Sequence, residues 1–389
     1  MEESIGANQI KRMKKILIIY SARIPSVELV LKNIYEFSKN EAVDITEKQV
    51  IDVRKKHIEN ADVILAIRPF EISSYGIIKA SKQAGKEIIV YLDDDLLHLP
   101  HVYSSKLRKL FTVAMYKHNC RYLKEILSKC DVLWGSSDYL LKQYEKYVVS
   151  GKCVKTDICT TTLGEIQTRP DQTGINIVYA GSGNHYVHLN KYIIPALNRL
   201  SSKYNVSLTC VGMRKENIIP TNFQLSVHPW MNSLDEYNLF MKKNHFDLGV
   251  APTEQTDFYR CKYFNKYIEY TSLGIIGIYT DDFPYRSVII DGANGLLASN
   301  NDTAWEEKLE YAITHQDECM KMAENAQKDV ASKFDLDAQL LQIKTQITEL
   351  YCDNYRSYGK VRFKPNYMIN YARRWANRFV GFYEGIRNK

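Results

Sequence analysis

Short apolar runs rich in β-branched residues recur along this chain, each followed by turn residues and then by a stretch of helical periodicity. KILIIY from Lys15, Ala61 to Ile67, Glu87 to Leu92 and Asp131 to Ser136 are such runs in the first half; Ile175 to Ala180, Val206 to Val211, FDLGVAPT from Phe246 and Ile275 to Tyr279 repeat the pattern in the second. Uninterrupted runs of this length suit strands buried on both faces, and strands that alternate with helices assemble into mostly parallel sheets. A chain of 389 residues is too long for one ordinary core, so two α/β domains are expected. The polar segment GEIQTRPDQTG from Gly164, with its Pro and paired glycines, reads as the linker. The domains are then 1–165 and 166–334, with a final helix and tail over 335–389.

The helices are placed by the same local rules. Ser26 is expected to cap a helix from Val27 to Lys39, Ile72 to Ala84 and Leu107 to Lys129 follow, and Ser136 or Ser137 caps SSDYLLKQYEKY. In the second half Leu189 to Tyr204 is a helix, and Thr303 caps another from Ala304.

The stretch with most chemistry is Arg260 to Leu297. Read as a helix at about 100° per residue, it places Lys262, Lys266 and Glu269 in one narrow arc and Phe264, Ile268 and Thr271 opposite. Gly274 is a left-handed C-cap, and a buried strand follows. A helix so placed begins at the carboxyl edge of a sheet, where open α/β folds bind ligands. A solvated charged face would show the same triplet.

The segment resembles the C-terminal half-site of GT-B glycosyltransferases of the bacterial group-1 type, in which a Lys-rich helix ending in Glu-Tyr precedes an apolar strand and an Asn-Gly turn. The resemblance is continuous from about Ile175 to Leu309 and implies two Rossmann-like domains facing a cleft, with C-terminal helices crossing back to the first domain. It implies that Lys262 and Lys266 hold the diphosphate of a nucleotide-sugar donor, that Glu269 accepts the ribose hydroxyls, and that Phe283 to Ser287, including Pro284 and Tyr285, lies near the donor. The loop Gly181, Ser182, Gly183 would abut the donor phosphates, and Arg214 would be a further phosphate cation or a surface residue. Cys261 stands where many relatives carry a first Glu.

Asp93, Asp94 and Asp95 close the Glu87–Leu92 strand. Their mutual repulsion calls for a compensating cation or bound hydroxyl. They read evenly as a turn cluster or as ligand-binding acids, with Asp94 or Asp95 a base for an acceptor hydroxyl; the cation-holding motif of a metal-dependent GT-A transferase is a lesser rival. Asp94, Asp95 and Lys262 are the candidate catalytic residues. His98, His101, His185 and His188 read as surface or substrate-contact histidines, and no metal site is expected.

Composition limits the remaining classes. Hydrophobic content of 45% and charged content of 25% are those of a globular protein, and no run of eighteen apolar residues is present. The first residues carry acids and only KILIIY as an apolar segment, and eight cysteines occur without a CxxC, so a cytoplasmic protein with free thiols is expected. A net charge of +7 does not imply nucleic acid; residues 360–389 hold eight Lys or Arg against Glu384 alone. There Tyr367, Tyr371, Trp375 and Phe379 recur every four residues beside Arg373, Arg374 and Arg378, a pattern that suits an anionic inner-membrane surface or packing on the first domain. The expected activity is transfer of a sugar from a nucleotide-diphosphate sugar to a glycan or lipid-linked acceptor, with retention if it follows the family and without cofactor or metal. A non-catalytic scaffold on the same fold is the reading from another class.

Overall fold

The computed structural model describes residues 12–99, 106–157, 163–166, 174–181, 186–231, 233–352 and 357–365. The chain divides into two units, one of Met1–Leu97, Tyr103–Thr156 and Leu340–Lys389, the other of His98–Val102 and Asp157–Gln339.

The first unit holds strands β1 (Lys14–Tyr20), β2 (Val43–Gln49), β3 (Val63–Ile67), β4 (Glu87–Leu92), β5 (Val132–Gly135) and β6 (Lys152–Lys155) in one sheet ordered β2-β1-β3-β4-β5-β6. Every neighbouring pair is parallel. β3 and β4 are buried at every position, as their uninterrupted apolar runs require. β2, VDITEKQ, is an edge strand with only Val43 fully buried, and it has no apolar run by which the sequence could reveal it.

Helix starts differ from the sequence reading where a neighbour competes for the cap. The first helix is Pro25–Asn40, with Ile24 at the N-cap and Pro25 in the first turn, so Ser26 lies inside it rather than capping it. Ser137 does cap Asp138–Tyr144, its hydroxyl accepting from the Leu140 amide at 3.2 Å. In the second unit the cap of Asp302–Thr314 is Asn301, not Thr303; its side chain accepts from the Ala304 amide at 2.7 Å.

The second unit holds β7 (Ile175–Ala180), β8 (Val206–Val211), β9 (Gln224–His228), β10 (Leu248–Ala251), β11 (Ile276–Thr280) and β12 (Leu296–Ala298), ordered β12-β11-β10-β7-β8-β9. Numbered within the unit this is 3-2-1-4-5-6, the Rossmann order, whose direction reverses between β7 and β10. Alternate residues serve opposite faces: Ile177 and Tyr179 enter one core cluster, Val178 and Ala180 the other. β9 is again a polar edge strand that periodicity did not show.

After Gln316–Lys333 the chain returns to the first unit at Leu340, within the helix Leu336–Gln346. There Lys14, at the amino end of β1, is buried between Glu87 at 2.8 Å and the Cys352 carbonyl at 2.7 Å, and the Gly359 amide donates to Ala84 at 3.0 Å. The tail residues Tyr367 to Phe379 lie outside the described residues. Among the described residues no helix is long and apolar enough to cross a membrane.

Candidate functional site

In the second unit the carboxyl ends of β7 and β10 flank the point where strand order reverses. From β10 the chain passes through Pro252 and Thr253 and the short helix Asp257–Arg260, then a turn, then the helix Asn265–Ser272. The single helix expected across Lys262, Lys266 and Glu269 is therefore broken: Lys262 lies in the turn, its ammonium 4.7 Å from the centre of the Phe258 ring. Lys266 and Glu269 remain on the helix, one turn apart and ion-paired. Cys261 is fully buried.

The seat of Asn265–Ser272 is set by glycines in the sheet beneath. A Cβ on Gly249 would fall 2.4 Å from the Tyr270 ring, and one on Gly277 would fall 2.0 Å from the Tyr279 hydroxyl. These strand positions carry no side chain so that the aromatic rings can lie there. The Tyr270 hydroxyl then donates to the Val250 carbonyl at 3.0 Å. Asn294, in the Asn-Gly turn, donates to the Tyr267 hydroxyl at 3.1 Å and to the Val288 carbonyl at 3.0 Å, linking the helix to the following loop. Gly274 ends the helix at φ 71°, and a Cβ there would sit 2.3 Å from the Glu165 carbonyl oxygen, so glycine is needed for conformation and space together. With Tyr267, Tyr270 and Thr271 buried, Lys266 and Glu269 stay on the face that keeps access to solvent.

A third residue completes this pair. Tyr237, on the helix Leu234–Lys243, donates its hydroxyl to Glu269, and Lys266 lies 3.3 Å from the same hydroxyl oxygen. Burial, and then the Glu269 charge, hold the Tyr237 hydroxyl well above its ordinary pKa, so it stays a proton donor. Nothing in the local pattern of LDEYNLFMKK marks Tyr237; the contact spans 32 residues.

The other expected donor-site residues are dispersed. Gly181 donates its amide to Val211 at 3.0 Å, and its carbonyl would be 2.2 Å from a Cβ on Gly212, which stands at φ 85°. Close approach at this edge is thus between the ends of β7 and β8. Arg214 is exposed beside them. Pro284 and Tyr285 are buried, with the Tyr285 ring 4.7 Å from that of Tyr279, and Phe283 is the exposed member of the loop. Asp282 steadies that loop by accepting from Arg260 at 2.9 Å and from the Phe283 amide at 2.8 Å. Ser182, Gly183 and His185 lie outside the described residues, as does His101. His188 is buried rather than at the surface, its Nε2 2.7 Å from the Tyr259 hydroxyl.

In the first unit, the cation that the aspartate cluster called for is Arg68, at the end of β3. Its guanidinium bonds Asp93 and lies 3.0 Å from Asp94. Burial alone would lower the Arg68 pKa, but the two carboxylates outweigh it and raise it, so the cation persists at every working pH. Arg68 takes φ 50°, a left-handed conformation unusual for a side-chain-bearing residue. Asp95 is wholly buried: it accepts from the Tyr144 hydroxyl at 2.7 Å and from the Leu97 amide at 3.1 Å. No group of three or more potential metal ligands occurs among the described residues.

Comparison with known proteins bears on the family segment and the fold. Residues 266–329 match the family model described as glycosyl transferases group 1, a span that begins at Lys266 and includes Glu269 and Asn294. Solved structures share the fold over most of the chain. The chain has the GT-B fold. HepE from Anabaena, in complex with UDP and glucose, is 12% identical with a TM-score of 0.61, over 87% of this chain and all of that one. Sucrose-phosphate synthase from Thermosynechococcus elongatus is 12% identical with a TM-score of 0.59, over 85% and 98%. An alpha-glucosyltransferase bound to UDP and a 13-mer DNA is 12% identical with a TM-score of 0.58, over 86% and 99%. No curated protein sequence matches. The GT-B architecture removes the GT-A alternative, which left the second sheet without a role.

Proposed function

We propose that this GT-B chain is a glycosyltransferase that takes a sugar from a nucleoside-diphosphate sugar and passes it to a glycan or lipid-linked acceptor, in the synthesis of a cell-surface polysaccharide. The observation that carries the reading is the pair Lys266 and Glu269, steadied by Tyr237 at the carboxyl edge of a Rossmann-order sheet. A fixed ammonium stabilises the charge that grows on a departing diphosphate, and a carboxylate accepts two ribose hydroxyls. Lys266 takes the first role with Lys262 beside it in sequence, and Glu269 the second. Charge supplied by lysines makes the reaction independent of a divalent ion. UDP is the first nucleotide to try, because the similar HepE and alpha-glucosyltransferase structures hold it.

Within this reading the anomeric configuration is retained. Asp94, held to Arg68, would take the proton from an acceptor hydroxyl should inversion occur, while Asp95 is bonded to Tyr144 and Leu97. The basic aromatic stretch from Tyr367 to Phe379 would hold the protein at the cytoplasmic face of an anionic membrane.

The test is thermal stabilisation by UDP, GDP, dTDP and CMP, with and without Mg²⁺, in the native protein, Lys266→Ala and Lys262→Ala. A ligand at a hundredfold over its dissociation constant adds about 2.7 kcal/mol. One nucleoside diphosphate should stabilise without metal, and Lys266→Ala should abolish the shift. Stabilisation that needs Mg²⁺ and survives in Lys266→Ala would refute the site. Binding without turnover of any labelled donor, across acceptor extracts, would leave a nucleotide-binding scaffold.

A further inference from the structure

On the helix Lys106–Leu127 of the first unit, the exposed side chains of Lys117, Arg121 and Lys124 line one open pocket of about 520 Å³, whose other walls include Leu97, Tyr116 and Glu125. Spacings of four and three residues put the three cations on one face, where like charges repel by a few tenths of a kcal/mol per pair. Here no acid among the described residues pairs with Lys117 or Arg121, and Glu125 is 3.3 Å from Lys129 instead. Lys124 lies 5.2 Å from the centre of the Tyr147 ring, which leaves its charge available. The opposite wall is held in place: the Leu97 amide is bonded by both Asp95 and Tyr144 at 3.1 and 2.9 Å, so the cavity adjoins the end of β4 and its aspartates. The Tyr116 ring is steadied by Phe70 at 5.6 Å.

We infer that this cavity is a binding site for a phosphate or diphosphate group, with Lys117 and Arg121 as its main ligands and Leu97 and Tyr116 contacting the apolar or sugar portion next to it. The volume is that of a small-molecule site and exceeds what one phosphate needs. The anion site stands on this geometry alone; that the phosphate belongs to the acceptor rests on the proposed glycosyl transfer. The same chemistry is offered by a phosphorylated soluble glycan and by a phosphate-bearing lipid headgroup.

Calorimetric titration of the full chain with inorganic pyrophosphate tests the site, using Lys117→Ala/Arg121→Ala, Glu125→Ala and Lys266→Ala. The native protein should bind two equivalents. The double variant should lose one of them, weakened at least about tenfold, which corresponds to about 1.4 kcal/mol. Glu125→Ala should bind about threefold tighter there, a gain that no misfolded variant would show. Lys266→Ala should lose the other equivalent. Unchanged titration in both the double variant and Glu125→Ala overturns the inference. If only Lys266→Ala is without effect, the cavity stands and the donor reading fails. Co-sedimentation separates the two sources. Binding to phosphatidylglycerol but not phosphatidylcholine vesicles, lost in the double variant and competed by pyrophosphate, supports a lipid headgroup. Pyrophosphate binding without vesicle binding supports a soluble phosphorylated acceptor.

Discussion

Tyr237 donates its hydroxyl to the Glu269 carboxylate, which is paired on its other oxygen with Lys266. Glu269 is therefore oriented before any ligand arrives, and its position depends on a helix distant in sequence. Tyr237→Phe removes this donor without changing the ring. The expected loss is about 1–2 kcal/mol of stability and about fivefold in affinity for the stabilising nucleotide, equivalent to about 1 kcal/mol. Affinity for the 2′,3′-dideoxy form should not change. Equal weakening of both nucleotides would show that Tyr237 acts on the fold and not through the ribose acceptor.

Two glycines separate conformation from crowding. Gly212 and Gly292 both have positive φ, 85° and 77°. A Cβ on Gly212 would lie 2.2 Å from the Gly181 carbonyl, whereas one on Gly292 would meet nothing within 4 Å. Gly292→Ala should cost about 1 kcal/mol, the left-handed penalty alone. Gly212→Ala should cost at least about 2 kcal/mol more, because backbone must move. Denaturant unfolding of the two variants reads the difference, and similar costs would contradict the close approach.

Arg68 bears both strain and an ion pair. Arg68→Ala leaves Asp93 and Asp94 without their cation and should destabilise by about 2–4 kcal/mol. Arg68→Gly loses the same pair but relieves the φ of 50°, and should be about 1 kcal/mol more stable than Arg68→Ala. If the two variants unfold alike, the backbone at this position is unstrained in solution.

His188 links stability to pH. Burial pushes its pKa below the ordinary value, and Lys191 adds to this, while Glu254 pulls the other way. The unfolded chain takes up the proton first as pH falls, so the contribution is fully present above about pH 6.5 and is lost progressively below it. The thermal midpoint should fall between pH 7 and pH 5, and His188→Gln should flatten this slope. An unchanged slope in the variant would assign the dependence to other groups.

Local physics made much of the architecture legible. Uninterrupted apolar runs announced β1, β3, β4, β5, β7, β8, β10 and β11, because strands buried on both faces need such residues throughout. The polar edge strands β2 and β9 were silent, since an edge tolerates polar residues and leaves no run to read. Ser26 and Thr303 were plausible caps by type, yet Pro25 and Asn301 began their helices earlier.

At the site the division follows the same reasoning. The sequence by itself determined that Lys266 and Glu269 share a helical face and that Gly274 ends the helix, because both depend on neighbours a turn or less away. It could not determine that the helix begins only at Asn265, leaving Lys262 over the Phe258 ring, since a turn at Cys261 depends on what packs beneath it. Only the tertiary structure decided that Arg68 would answer Asp93 and Asp94, that Asp95 would be buried against Tyr144, and that Tyr237 would hold Glu269. Those pairs join side chains from different strands and helices, 25, 49 and 32 residues apart. No periodicity encodes such contacts; they exist because the sheets bring the element ends together.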